Sequence, residues 1–182
     1  MRRRFGRFLR RTVDGSNQAL TEVQRANQLM AAGDYRGAAT AFEDLSSQAK
    51  SQNGSRAPFF FLQAGRARML MDDVPKAIAH FKYGLILLAD TGRYTQFYRA
   101  GTRIAQELKT HKLEKEAKEI SALIHGHTSA IAEMATQQLP HDKMVPPSHC
   151  PSCGGPVRSD EVEWINDLTA ECSFCGSPIR VG

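Results

Sequence analysis

Residues 150–180 carry one motif twice. Cys150-Pro-Ser-Cys153-Gly-Gly-Pro-Val-Arg158 is followed by Cys172-Ser-Phe-Cys175-Gly-Ser-Pro-Ile-Arg180. Both copies read Cys-x-x-Cys-Gly-x-Pro-aliphatic-Arg, and together they hold all four cysteines of the 182-residue chain. Two residues between paired cysteines let both thiolates point into one turn. Two such turns can surround a single tetrahedral metal ion. A module of this size cannot bury enough apolar surface to fold alone, so metal binding must supply the missing free energy. Gly154 and Gly176 follow the second cysteine of each pair, where a left-handed backbone closes the turn. Such a turn aims backbone amides at the sulfurs.

Between the pairs, Asp160–Ile165 reads as a short strand, Asn166-Asp167 as its turn, and Thr169–Glu171 as the return. The whole resembles a zinc ribbon, two cysteine knuckles joined by a β-hairpin. The resemblance implies one structural zinc ion on Cys150, Cys153, Cys172 and Cys175. An iron site of the rubredoxin kind uses the same ligands, and zinc is favoured over it. With all four positions filled by protein, no coordination site is left for a catalytic water. No βαβ context surrounds either pair, which argues against thioredoxin-type redox chemistry. His149 adjoins Cys150, but the doubled motif favours the cysteine. Trp164 is expected to cover the small core. The module has five acids against Arg158 and Arg180, and a thiolate-bound metal adds further negative charge. This repels phosphate and favours a protein partner over nucleic acid.

The rest of the chain divides into an arginine-rich tail (1–15), a helical region (16–139) and a proline-rich linker (140–148), ahead of the module (149–182). The net charge of +5 is unevenly placed: residues 1–11 hold six arginines and no acid, and the remainder is near neutral. No run of about 20 apolar residues is present to span a membrane, and no apolar core follows the basic start as in a secretory leader. A cytoplasmic protein with reduced thiols is therefore expected. The linker has little apolar content with which to dock its neighbours. The helical region and the module are thus expected to be thermodynamically separate.

The helical region repeats internally. Ala38, Ala77 and Ala117 recur at intervals of 39 and 40 residues, and each has a small residue twelve positions upstream: Ala26, Gly65 and Ala105. A small residue midway along each of two paired helices lets their axes approach. Phe42 and Phe81, one turn later, fill the space beside it. Gly33-Asp34-Tyr35, Ala38 and Phe42 resemble the tetratricopeptide repeat, as do Gly65, Ala77 and Phe81. The third unit keeps only the small positions. The resemblance implies stacked antiparallel helical hairpins over about 19–124. Ser46–Pro58 is expected to be an extra loop between the first two units, and Thr128–Leu139 a closing helix. Phe59–Leu62 and Leu85–Leu88 read as core. His80, His111, His125, His127 and His141 show no ligand or triad spacing, and no phosphate loop or dinucleotide fingerprint is present.

Stacked hairpins would line a concave groove with Asn27, Gln63, Arg66, Arg99 and Arg103. Some chaperone-binding tetratricopeptide proteins clamp a peptide carboxylate on such a face. That pattern is matched by Asn27, Arg99 and Arg103 and approached by Gln63, but Val23 stands where it has a lysine. In the tail, Phe5, Phe8 and Leu9 fall on one edge of a helix ringed by Arg2, Arg3, Arg4, Arg7, Arg10 and Arg11. Such a segment suits an anionic membrane surface, RNA or the ribosome, or simple solvation. The overall expectation is a mainly α fold with a small C-terminal β zinc ribbon. Its expected function is a non-enzymatic protein–protein interaction adaptor or scaffold, peripheral to a membrane through its tail. A nucleic-acid- or ribosome-associated factor is the alternative.

Overall fold

The structure is a computed structural model describing residues 21–52, 54–127, 145–159, 162–166, 168–172 and 174–181, with backbone only at Glu163 and Asn166. Among these described residues six helices stack in consecutive pairs: α1 (21–31), α2 (Tyr35–Ser51), α3 (Ala57–Met69), α4 (Val74–Asp90), α5 (Tyr94–Thr110) and α6 (Glu114–His125). An antiparallel sheet follows, β1 (Glu163–Asn166), β2 (Thr169–Glu171) and β3 (Pro178–Arg180), with β2 in the centre. Ala170 pairs with Trp164 on one side and Ile179 on the other.

The three hairpins share one turn. Gly33, Asp72 and Lys112 occupy the same left-handed position, with φ of 78°, 60° and 63°. The next residue donates back to the fifth before it in every case: Asp34 to Leu29, Asp73 to Arg68, Leu113 to Leu108. These turns repeat at the spacing of the small residues, so they fix the register of the third unit. Asp34 also caps α2, its side chain accepting from the Gly37 amide at 2.9 Å. Lysine gains nothing at a left-handed position. Lys112→Gly is expected to raise stability by about 0.5–1 kcal/mol, read by urea titration.

Ala26, Ala38, Ala77 and Ala117 are completely buried. A methyl at Gly65 would lie 2.6 Å from the Phe81 ring and 3.1 Å from the Ala77 carbonyl, so α3 and α4 cross at close range. Phe59, Leu62, Leu85 and Leu88 belong to the core around that crossing, with Phe97, Ile104 and Ile120 extending it into the third hairpin.

The extra length between the first two units is helix rather than loop. α2 continues to Ser51, and only residues 52–56 separate it from α3. Ser46, Ser47 and Ser51 turn their hydroxyls back onto carbonyls within α2 at 2.8–2.9 Å, so a serine-rich stretch that reads as loop continues the helix. The expected closing helix Thr128–Leu139 lies outside the described residues. So does the first part of the linker, while residues 145–148 are neither helix nor strand.

On the flank of α2–α4, Glu43 accepts two hydrogen bonds from Arg68, at 2.7 and 2.8 Å, and one contact from His80 at 2.9 Å. The Arg68 hydrogen bonds hold its carboxyl below the ordinary range against the opposing effect of burial, with His80 assisting. A depressed carboxylate stabilises the fold above its unfolded value, and that contribution is lost as pH falls through the folded value. Glu43→Gln should cost about 1 kcal/mol at pH 7, because the pair is partly solvated. The gap between variant and wild type should close as acidification carries wild-type Glu43 through its lowered folded value and neutralises it. Urea titrations over a descending pH series from pH 7 make the comparison.

Candidate metal centre and the groove it occupies

The two cysteine turns are built alike. Gly154 donates to the Cys150 carbonyl and Gly176 to the Cys172 carbonyl, both at 2.8 Å. Cys150 donates to the Gly155 carbonyl and Cys172 to that of Ser177, at 2.8 and 2.9 Å. Gly154 and Gly176 take φ of 70° and 68°. Backbone amides of Gly155 and Phe174 reach the sulfurs of Cys153 and Cys172 at 3.4 Å. The repeated sequence thus folds into repeated knuckles, and amides aimed at sulfur favour the thiolate form.

All four sulfurs lie within 4.8 Å of one another and are buried. Cys150–Cys175 and Cys153–Cys172 stand 3.9 Å apart. A tetrahedron of metal–sulfur bonds near 2.3 Å has edges of about 3.8 Å, so the cluster fits one four-sulfur ion. Packed this closely, the thiols oppose one another's ionisation. The hydrogen bond from Cys153 drives Cys150 down, whereas contact with Cys150 drives Cys153 and Cys172 up. A divalent cation relieves that conflict for all four thiolates together. His149 stands outside the cluster, its Nδ1 3.1 Å from the Ser148 hydroxyl.

The two parts share a buried cluster, which argues against the expected thermodynamic separation. The four cysteines and Ile179 belong to the same buried apolar cluster as Val23, Ala26, Phe42, Phe60 and Ala64 of the helices. Val23, where the clamp pattern has a lysine, is 1% exposed in that cluster. An apolar side chain suits the position because the cysteine module lies over it. The apolar contact comes from the knuckles themselves, and polar groups on the helices complete it.

Those polar groups include much of the predicted groove. Asn27 on α1 donates to the Cys153 carbonyl at 2.7 Å, with Gln24 donating to that of Ser152 at 3.2 Å. Arg99 on α5 donates to the Val162 carbonyl at 2.8 Å. Arg66 on α3 pairs with Glu107 at 3.4 Å and lies over the Phe174 ring. Gln63 is buried, and Arg103 lines the same face. Gln63, Arg66, Arg99 and Arg103 line one cleft, whereas Asn27 is not part of its lining and holds the cysteine module instead.

Three further residues of this site were missed by sequence reasoning. Arg93 bridges the Glu171 carboxylate at 2.6 Å and the Ser55 carbonyl at 2.9 Å, and its guanidinium covers the Phe59 ring. Gln96 donates to the other Glu171 oxygen at 2.8 Å. Phe59 supports Gly176, where a methyl would stand 3.0 Å from the ring. Beside these contacts a cleft of about 940 Å³ remains between α3, α5 and the module. The arginine-rich tail lies outside the described residues. Among them, no helix is long and apolar enough to cross a membrane. Comparison with known protein families, with characterised proteins and with solved structures gives no match.

Proposed function

We propose that the chain is a non-enzymatic protein-interaction adaptor in which one zinc ion staples a ribbon into the groove of tetratricopeptide-like hairpins. The carrying observation is the composite cleft, whose walls come from both the helices and the cysteine module. Zinc suits four thiolates at tetrahedral spacing and gives a closed site, the form that stabilises folds instead of activating water. Elemental analysis of the purified chain should return one zinc. One iron per chain would replace the metal and keep the scaffold.

Photo-crosslinking tests the adaptor reading. A photoreactive residue at Tyr98 or Thr102, beside the cleft, should capture a recurrent protein partner from nuclease-treated extract of the source cells. Recovery of RNA alone, or of no recurrent partner from any surface position, would sink it. Deleting residues 1–11 separates the alternative. A nucleic-acid factor would lose RNA binding with its six arginines, and that binding would fall steeply with salt. An adaptor with a membrane-seeking tail would keep its protein partner and lose anionic vesicles.

A further inference from the structure

The two knuckles share a backbone but differ at one informative position. After the second cysteine and its glycine comes Gly155 in the first knuckle and Ser177 in the second. The carbonyl of each accepts from the first cysteine of its own knuckle, at 2.8 and 2.9 Å. A Cβ at Gly155 would stand 3.3 Å from the Cys153 sulfur and 3.0 Å from the Phe174 ring. A side chain there would crowd both. The counterpart of Phe174 in the first knuckle is the small Ser152, so no aromatic ring forbids a side chain at 177. By the shared backbone, the Ser177 side chain lies against the sulfur of Cys175.

Its hydroxyl needs an acceptor. Ser177 is 2% exposed, and its oxygen is buried with no hydrogen-bond partner among the described residues. A buried hydroxyl in that condition is costly, and native proteins rarely leave one unmatched. The sulfurs are served unevenly as well. Backbone amides reach Cys153 and Cys172 at 3.4 Å, and among the described residues none reaches Cys175. The amide that serves Cys153 is that of Gly155, the counterpart of Ser177. Contact with Cys150 and burial work against ionisation of the Cys175 thiol, whereas Cys153, Cys172 and the Ser177 hydroxyl favour it. A thiol is a weak acceptor, and a thiolate held on a cation is a charged and stronger one.

We propose that Ser177 is a positioning residue of the metal centre, its hydroxyl donating to the Cys175 thiolate once the cation has displaced the thiol proton. A small turn of the serine side chain makes the bond. It draws charge from one of four mutually repelling sulfurs and fixes the Cys175 side chain toward the ion. The inference rests on the metal reading of the cysteine cluster and concerns how that metal is held.

The test uses the full chain, with zinc affinity read by competition against a chromophoric chelator and cobalt(II) uptake read by absorption. Ser177→Ala should bind zinc about tenfold more weakly than wild type, and Ser177→Gly, which copies the first knuckle, should lose at least as much. Ser152→Ala removes a hydroxyl from the other knuckle and should stay within about twofold of wild type. A hydrogen bond lowers the energy of the sulfur lone pairs. The sulfur-to-cobalt charge-transfer band of Ser177→Ala should therefore move to longer wavelength, while the tetrahedral ligand-field bands keep their intensity. Zinc affinity of Ser177→Ala within about twofold of wild type overturns the proposal. So does a loss of affinity with the charge-transfer band unmoved, since that marks Ser177 as packing alone. An equal loss in Ser152→Ala overturns it too. A wild-type chain that takes up neither ion removes the metal reading and this inference together. Normal metal uptake that is indifferent to Ser177 keeps the first and discards the second.

Discussion

Removing the metal should destabilise the helices as well as the module. Cys172→Ser, or a strong chelator, is expected to lower the midpoint of helical melting by about 10–20 °C. Structural zinc contributes on the order of 10 kcal/mol to a site of this kind, more than a module of this size can replace by packing. When the module opens, the helices lose its share of the buried cluster that also holds Val23 and Phe60, and Phe59 loses Gly176 beside it. The hydrogen bonds donated by Gln24, Asn27, Arg93, Gln96 and Arg99 go with it. At roughly 1 kcal/mol each these bonds account for about 5 kcal/mol, and in a chain of this length each kcal/mol moves the midpoint by about 2–4 °C. Circular dichroism melts with and without chelator measure the shift. Hydrogen exchange should speed most in α1 and α5. A helical midpoint unchanged within about 2 °C would show that the two parts are independent after all.

The second large effect lies at the α3–α4 crossing. Phe81→Ala should cost about 3–5 kcal/mol, since the ring is completely buried between the helices. Gly65→Ala alone should cost about 1–3 kcal/mol, because its methyl would meet the ring at 2.6 Å. In the Phe81→Ala background most of that cost should disappear. With the ring gone only the Ala77 carbonyl, 3.1 Å from the methyl, still crowds it, and helix propensity favours alanine over glycine by up to about 1 kcal/mol. Urea titrations of the four proteins in the cycle give the coupling energy. Additive costs would mean that Gly65 is there for some reason other than the ring.

Both predictions depend on features that differ in how they are written into the chain. The cysteine cluster is local: two residues between cysteines and a glycine after the second dictate each knuckle, so the grouping of Cys150, Cys153, Cys172 and Cys175 is legible from spacing. The hairpins are legible because close helix crossings demand small residues, and those recur at 39 and 40. The shared turn is harder to see. Its left-handed position holds glycine in the first unit but aspartate and lysine in the others. Docking of the module is harder still. Asn27, Gln24 and Arg99 donate to backbone carbonyls, and every residue has one, so no side-chain pattern marks the acceptor. β3 escapes notice because its three residues read as the end of the second knuckle.

The Asn27–Cys153 bond joins residues 126 apart in sequence. During synthesis α1 therefore leaves the ribosome long before the segment that covers it. Until the cysteine module has been made and folded, Gln24 and Asn27 of α1 lack their native acceptors on it. A nascent chain in this condition exposes apolar surface and invites misassembly or chaperone capture. The final contacts are also non-local ones, which close slowly. If the four cysteines hold an ion as proposed, its supply sets when the newly made protein becomes safe from aggregation, and scarcity of the ion should appear first as lost yield of the chain.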